Sequence, residues 1–304
     1  MKQILNLVKR NTLNFFRDHS AVFFSILSML IVLALMVVFL GSMNSSSVVN
    51  VLAEYGGERD TATDQTNAKY LIQMWTLAGI LVVNSVTVTL TVLGGMVNDE
   101  CRGRLASFYV APAKRLNIAL GYILSAWLIG TIMCMLTLVI GEVYMLLQGH
   151  ALLPLLTWLK LLGMICLNTF VYASLGYLLA LFIHSDSAWS GMLTIVGTLV
   201  GFLGGIYLPM SMLPEGVGNL LKCLPVLHGA SMMRDVLTKE AMAKTFAGLP
   251  NVVPEIFREM MGISICAKEN QISLTYQILF LLTYAIIAII LAAIISNKRK
   301  VSDR

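Results

Sequence analysis

Long stretches without a charged side chain dominate the pattern of apolar and polar positions along the chain. There are six of them, each of at least 21 residues: Ala21–Gly41, Tyr70–Asn98, Leu116–Gly141, Leu161–Ile183, Ser187–Pro214 and Asn270–Asn297. A helix needs roughly 20 apolar residues to cross the ~30 Å hydrocarbon core of a bilayer. One buried helix of a soluble protein could imitate such a stretch, but six could not. The pattern therefore predicts an all-α polytopic membrane protein with six transmembrane helices.

Composition supports the same class. Hydrophobic residues make up 58% of the chain and charged residues only 12%, whereas soluble domains are roughly 45–50% apolar. An ordinary soluble domain is therefore excluded.

The basic residues are distributed unevenly between the predicted loops. Short cytoplasmic loops of membrane proteins are enriched in Lys and Arg. Six spans would place three short segments on one side, and these hold twelve of the 21 Lys and Arg: Lys2, Lys9, Arg10 and Arg17; Arg102, Arg104, Lys114 and Arg115; Lys298, Arg299, Lys300 and Arg304. We therefore expect both termini and residues 98–115 to be cytoplasmic, in a plasma (inner) membrane. The net charge of +5 is then a topology signal, and no nucleic-acid partner is expected.

The remaining segments complete a single transmembrane domain over residues 1–304. Residues 1–19 alternate apolar with basic positions, which predicts an amphipathic helix lying in the cytoplasmic interface; a frayed basic tail is the alternative. Residues 210–269 form the one long external loop. The lipid bilayer is thus the first expected partner of the chain.

Motifs for catalysis and metal binding are missing from the sequence. It contains no phosphate-binding loop, no H-E-x-x-H and no C-x-x-C. Its four histidines are scattered over both faces, at spacings that do not suit one metal site. We therefore expect no catalytic residue, no metal site and no cofactor in this chain.

One short charged segment interrupts the apolar pattern between the second and third predicted spans. It reads NDECRGRLASFYVAPAKR over residues 98–115, with the motif E-x-x-G-R-L starting at Glu100. Such a segment can present charges and apolar side chains to a partner protein, where complementary charges set the register. Gly103 permits a close approach or a tight turn, and Pro112 fixes the exit into the third span. The alternative is an ordinary basic loop.

A second motif follows the fifth span, and together the two motifs resemble a known family. The stretch GGIYLPMSMLPEGVGNLLKCLPVLHGASMMR begins at Gly204. Both motifs, in this order, resemble the membrane permeases of ABC transporters of the second exporter type, which carry a cytoplasmic coupling helix and short, Pro-broken external helices after the fifth span. The resemblance covers essentially the whole chain. Arg104 departs from it, because the family usually carries Thr there.

The resemblance implies partners and residue roles. A separate soluble ABC ATPase, in two copies, would bind ATP and Mg, and a second permease subunit, identical or related, would complete the dimer. The residues implied in ATPase coupling are Glu100, Arg102, Gly103, Arg104, Leu105, Phe108 and Pro112. Those implied in an external gate are Pro209, Leu213, Pro214 and Pro225.

Polar residues within the predicted spans are costly and often functional. Asn84, Thr87 and Thr91 recur at helical spacing on the second span, and Asn168 and Tyr172 are an i, i+4 pair on the fourth. They are candidates for a substrate pathway. The equal alternative is hydrogen bonding between helices of one subunit.

Glycines on the fifth span form a tandem G-x-x-x-G stripe, which allows close helix approach. In the resembled family this span lies near the subunit interface. Gly197, Gly201 and Gly205 are therefore predicted at a dimer interface, with chance as the alternative.

Two residue pairs near the external side are candidates for cross-links. Glu142 and Lys160 are predicted to form an ion pair, with a contact to substrate or to a proton as the alternative. Cys223 and Cys266 both fall in the external loop, where oxidation is permitted. A disulfide between them is predicted as an even alternative to free thiols.

These observations favour the permease subunit of an ATP-driven exporter that works by alternating access. Its substrate would be hydrophobic or amphipathic: a drug, an antimicrobial peptide or a lipid-like molecule. A secondary transporter driven by an ion gradient is the alternative, but it should carry carboxylates near the span centres, and there are none. A membrane-embedded enzyme would need a cluster of His, Asp and Glu at membrane depth.

Overall fold

The chain is an all-α protein, as predicted. The computed structural model describes residues 2–35, 41–55, 59–105, 115–207, 209–267 and 270–298. Within them lie eleven α-helices: α1 Lys2–Arg17, α2 His19–Leu35, α3 Gly41–Tyr55, α4 Thr61–Cys101, α5 Arg115–Leu147, α6 Leu155–Ala180, α7 Asp186–Leu203, α8 Glu215–Lys222, α9 Pro225–Thr245, α10 Val252–Met260 and α11 Leu274–Lys298. A 3₁₀ helix (Met210–Met212) precedes α8, and an antiparallel hairpin of β1 (Cys266–Ala267) and β2 (Asn270–Gln271) precedes α11.

Five helices in the described ranges are long and apolar enough to cross a membrane. They are Thr61–Cys101, Arg115–Leu147, Leu155–Ala180, Asp186–Leu203 and Leu274–Ser296. The first predicted span, Ala21–Gly41, coincides with α2 as far as Leu35, and residues 36–40 lie outside the described ranges. The chain is therefore a multi-pass membrane protein by length and composition, while its sixth span stays a prediction.

Residues 1–19 contain a helix of their own, α1, whose amphipathic placement in the cytoplasmic interface stays a prediction. Leu7 and Phe15 are buried, whereas Leu5 is 62% exposed. The Asp18 carboxylate accepts a hydrogen bond from the Ala21 amide at 3.0 Å, a contact that caps the first turn of α2. This cap separates α1 from the apolar helix that follows it.

The α4 helix is the centre of the bundle. Helices α3, α5, α6, α7 and α9 all pack against it, and most of its side chains are buried. At 1.5 Å per residue, its 41 residues span about 60 Å, roughly twice the hydrocarbon core of a bilayer. Its C-terminal end lies beside α1 and its N-terminal end beside α9. We call these two ends of the molecule the α1 end and the α9 end.

Prolines start the short helices at the α9 end. Pro209 directly precedes the 3₁₀ helix, Pro214 precedes α8, and Pro225 is the first residue of α9. Proline suits these positions because its φ is already helical and the first helical amides need no partner. Leu213, between the first two helices, packs with the buried Leu221. The local structure thus follows the proline pattern of the sequence.

A buried arginine joins three segments at the α9 end. Arg234 of α9 is fully buried and lies 4.4 Å over the ring of Trp75 in α4. Its guanidinium donates to the carbonyl of Gly205 at 2.7 Å, and to those of Met261 and Gly262 at 3.4 and 3.3 Å. No carboxylate of the described residues lies within 4.0 Å of it. Burial lowers the pKa of Arg234 to about 9, which still leaves it charged at neutral pH.

We predict that Arg234→Ala lowers stability by at least about 2 kcal/mol, because buried carbonyls left without a donor cost roughly 1–3 kcal/mol each. Arg234→Lys should recover little, because an ammonium group lacks the planar fork that reaches several acceptors at once. The measurement is the midpoint of thermal unfolding in detergent. Lys244→Ala is the matched control: Lys244 lies on the same helix in an exposed ion pair with Glu240 and should cost under about 1 kcal/mol. Equal midpoints for Arg234→Ala and Lys244→Ala would contradict the role of Arg234.

Candidate functional site

The predicted coupling segment begins where α4 ends. The helix stops at Cys101, and the Arg102 and Gly103 amides donate to the carbonyls of Asn98 and Glu100, both at 3.0 Å. Gly103 has φ +69°, a left-handed conformation that glycine adopts without a steric penalty. A Cβ there would meet no atom within 4 Å. The sequence allowed two roles for Gly103, a close approach or a tight turn, and the structure shows the tight turn.

Only the first residues of the segment beyond the turn are described. Arg104 and Leu105 are helical, whereas Phe108 and Pro112 lie outside the described residues. Leu105 is 4% exposed and belongs to the core of this chain. The prediction that Leu105 offers its side chain to a partner is therefore wrong for this structure. The bundle itself already buries it.

Asp99 is the centre of a charged cluster at the α1 end. Its carboxylate accepts hydrogen bonds from the guanidinium of Arg10, at 2.8 and 3.0 Å, and from the hydroxyl of Tyr122, at 2.7 Å. Arg104 adds a weaker contact at 3.4 Å. We call Arg10, Asp99, Arg104 and Tyr122 the Asp99 cluster. It fastens α1, α4 and α5 together at one point.

The Asp99 cluster is charged at neutral pH. Asp99 is only 5% exposed, and its hydrogen bond raises the pKa of Arg10 above the ordinary value. A buried carboxylate of this kind is stable only when it is paired and hydrogen-bonded. Asp99 meets that condition through donors on α1 and α5.

Further contacts hold α1 along the beginning of α5. Leu7 packs against Gly121, where a Cβ would come within 2.4 Å of the leucine side chain. Asn11 donates to the Ser125 hydroxyl at 3.0 Å, and Asn117 donates to Gln3 at 3.2 Å. One face of the predicted interfacial helix is thus bound to the bundle itself.

The end of α4 also contacts the turn between α6 and α7. Glu100 lies 3.2 Å from Nδ1 of His184, and the Cys101 thiol donates to the His184 carbonyl at 3.2 Å. Asn98 donates to the Asp186 carboxylate at 3.3 Å. Glu100 is therefore engaged within the chain, while the Arg102 side chain is exposed and that of Arg104 is 52% exposed. These two arginines are the charges that the turn presents outward.

Three of the five pathway candidates are buried in the chain. Asn84 donates to the Thr137 hydroxyl of α5 at 2.9 Å, a bond between helices. Asn168 and Tyr172 are 0% and 4% exposed. The alternative of hydrogen bonding between helices fits Asn84 alone. Asn168 donates to the Met164 carbonyl of its own helix at 3.0 Å, and neither the Asn168 side-chain oxygen nor the Tyr172 hydroxyl has a hydrogen-bond partner among the described residues. Thr87 is half-buried and Thr91 is exposed, so these two remain available at the surface of α4.

The predicted glycine stripe is not continuous on the surface of α7. Gly201 is covered by the ring of Tyr207 from the same chain, since a Cβ there would lie 2.1 Å from it. Gly205 is buried beyond the helix end, with φ +58°. Only Gly197 is partly exposed. The prediction that all three glycines face a second subunit is therefore wrong, because two of them serve this chain's own fold.

The Glu142–Lys160 ion pair is not formed. The Glu142 carboxylate accepts from the Leu153 amide at 2.7 Å and from the Trp158 indole at 3.2 Å. No carboxylate of the described residues lies within 4.0 Å of Lys160. Two neutral donors thus supply the hydrogen bonds of the Glu142 carboxylate, and Lys160 has no part in them.

The predicted disulfide is also absent, since Cys223 and Cys266 are both free thiols. Cys223 lies at the end of α8 and contacts the Asn219 carbonyl of its own helix at 3.7 Å. Cys266 lies in strand β1. In the described part of the chain, no group of three His, Cys, Asp or Glu side chains could hold a metal ion.

Sequence reasoning missed the Asp99 cluster. Arg10 reads as one more basic residue before the first span, and Asp99 as one more charge in the turn. Tyr122 falls in an uncharged run that reads as part of a membrane span, where nothing marks it as a partner of a charged residue. The one available signal was an acidic residue directly after an uncharged stretch of 29 residues.

Comparison with known families gives a match over most of the chain. The family model described as "ABC-2 type transporter" matches residues 2–238. The match includes the Asp99 cluster, the turn at Gly103 and Arg234. A search of curated proteins finds no match.

We predict that Asp99→Asn loosens α1, because Arg10 loses the charge that holds it. Truncating one partner of a buried charge pair costs roughly 2–5 kcal/mol. Trypsin cleavage within α1 should therefore become faster and the midpoint of thermal unfolding should fall. Arg10→Met combined with Asp99→Asn should recover part of the loss, because no unpaired charge then remains. If the loss of stability in the double variant equals the sum of the losses in the two single variants, Arg10 and Asp99 do not pair directly.

Proposed function

The chain belongs to the ABC-2 type transporter family and is a membrane permease subunit of an ABC transporter, and on that premise we propose that it exports a hydrophobic or amphipathic substrate by alternating access. ATP hydrolysis would take place on a separate soluble ATPase, present in two copies and holding ATP and Mg. A second permease subunit, identical or related, would complete the transporter. The substrate would be a drug, an antimicrobial peptide or a lipid-like molecule.

One observation carries the coupling role: the turn at Gly103 is exposed on its outer side and firmly bound on its inner side. Arg102 is exposed, and Arg104 is 52% exposed although it also reaches Asp99, whereas Asp99 and Glu100 join α4 to three neighbouring segments. A partner that grips the two arginines would move α1, α4, α5 and the turn between α6 and α7 together. Electrostatic complementarity would set the register of that partner.

The length of α4 supports transmission to the far side of the bundle. The helix is continuous from the turn to Thr61, and α9 packs on its N-terminal half. A displacement at the Asp99 cluster would therefore reach Trp75 and the segments that Arg234 holds. We propose that the proline-started segments around Pro209, Leu213, Pro214 and Pro225 form the external gate that responds.

A cavity at the α1 end supports an inward-facing substrate site. It has a volume of about 510 Å³ and lies between α1, α4 and α7, with Thr91, Trp189 and Asn14 among its lining residues. Thr87 lies one turn farther along α4 from Thr91. We propose that these two threonines begin the substrate pathway. Membership of an ABC transporter family favours this ATP-driven transport over the ion-gradient alternative.

Two native cysteines test the proposed orientation. Cys101 is exposed at the α1 end and Cys223 at the α9 end, so the topology predicts that only Cys223 meets the external solution. An impermeant maleimide applied to intact cells should label Cys223 and leave Cys101 unmodified, as mapped by mass spectrometry. Permeabilised cells are the control and should show both labels. Labelling of Cys101 in intact cells would overturn the cytoplasmic assignment of the turn.

The coupling role predicts that Arg102→Glu impairs transport without unfolding the chain. Like-charge contact in an interface can cost several kcal/mol, while an exposed side chain contributes little to the fold. Gly103→Val should act similarly through the turn, because a β-branched residue strains a left-handed conformation. The measurements are co-purification of the ATPase and hydrolysis stimulated by substrate. Both should fall well below the wild-type level.

Matched variants separate coupling from general damage. Gly103→Asn should retain function, because asparagine tolerates the left-handed conformation. Lys244→Glu reverses an exposed charge at the α9 end and should leave ATPase binding unchanged. If Arg102→Glu and Gly103→Val bind the ATPase and transport like the wild type, the segment is an ordinary basic loop.

A further inference from the structure

A groove on the side of the bundle has no part in the proposed coupling. It has a volume of about 820 Å³ and is lined by α6, α9 and the beginning of α11. Its position at the α9 end places it on the opposite side of the molecule from the Asp99 cluster. The volume is in the range of sites that bind small organic ligands, about 300–1,000 Å³.

The walls of the groove are apolar. Met164 and Leu167 of α6 face Met232 and Val236 of α9, and Ile278 of α11 closes one side. Gly163 leaves the space open, because a Cβ there would meet no atom within 4 Å. An apolar slot of this shape suits a hydrocarbon chain.

Two lysines lie at the rim of the groove, and neither forms an ion pair with a described residue. Lys160 lies about one helical turn from Gly163, and Lys239 lies across the groove on α9. Both are exposed, and neither has a carboxylate of the described residues within 4.0 Å. Lysine stems commonly lie along apolar surface with the ammonium group at headgroup depth.

The two acidic groups at the rim are already neutralised by other partners. Asp235 forms an ion pair with Arg258, and Glu240 is paired with Lys244 at 2.7 Å. When Arg258 and Lys244 are counted with the lining residues, four positive and two negative charges surround the groove, an excess of two positive charges above an apolar slot. That combination is complementary to a molecule with an anionic head and a hydrocarbon tail.

We propose that this groove binds an anionic membrane phospholipid, with its phosphate between Lys160 and Lys239 and an acyl chain beside Gly163. Lys160 lies near the beginning of the membrane-spanning helix α6, where phosphate groups of a bilayer are found, and Lys239 lies across the groove from it on α9. Each lysine close to an anionic lipid surface contributes about fivefold to its affinity. The proposal concerns a resident lipid and is independent of the direction of transport.

The test compares lipids retained by the full-length protein after extraction from vesicles of phosphatidylcholine and phosphatidylglycerol mixed three to one. Native mass spectrometry counts the phosphatidylglycerol bound per chain. We expect Lys160→Met to reduce its retention about fivefold, and Lys160→Met with Lys239→Met to reduce it more than tenfold. Phosphatidylcholine retention should not change. Lys69→Met, an exposed lysine of α4 at the same end, is the matched charge control and should retain wild-type binding.

A second variant tests the apolar slot by filling it. Gly163→Leu should displace the lipid, whereas Gly191→Leu should not, because Gly191 of α7 also faces open space but lies outside the groove. Thermal unfolding of each variant without lipid verifies that the fold is intact. Reduced binding in both the lysine and the Gly163 variants would support the proposal. Unchanged phosphatidylglycerol binding in either, or retention of the two lipids by the wild type in the three-to-one proportion of the vesicles, would overturn it.

Discussion

Charges buried in an apolar bundle must be neutralised by polar groups of the bundle itself, and the architecture of this protein depends on that constraint. Asp99 is buried only because Arg10 and Tyr122 reach it from two other helices. Arg234 is buried without a carboxylate partner among the described residues, because three backbone carbonyls and the Trp75 ring surround it. Each buried charge therefore specifies which segments meet. The surrounding leucines and valines could pack in many ways and specify far less.

Of the buried charged residues, Asp99 and Arg234 hold opposite ends of the same helix. Asp99 lies on α4 two residues before its last one, and Arg234 stacks on Trp75 in the N-terminal half of α4. Between them α4 is packed on several sides and is continuous. The proposed coupling needs one rigid body that extends from the turn at Gly103 to the proposed gate, and α4 has the length and the attachments for that role.

Hydropathy was sufficient to predict the class of the fold, because the signal of each span comes from a local stretch of sequence. Glu142 and Lys160 were paired by proximity along the chain, yet the glutamate is satisfied by the Leu153 amide and the Trp158 indole. A backbone amide as partner leaves no trace in a sequence. The same is true of Gly201, whose small size serves Tyr207 of its own chain. The Asp99 cluster escaped prediction because 89 residues separate Arg10 from Asp99, and no local pattern joins them.

That separation also sets an order of events during synthesis. Arg10 leaves the ribosome 89 residues before its partner, which is about 4–18 s at a rate of ~5–20 residues per second. During this interval α1 has neither α4 nor α5 to pack against, and its exposed leucines and phenylalanines can be shielded only by the membrane surface. We therefore expect the nascent helix to lie on the lipid surface until Tyr122 has been made, and then to move to the bundle. Residence at the interface would be an early stage of assembly, which attachment to the bundle would end.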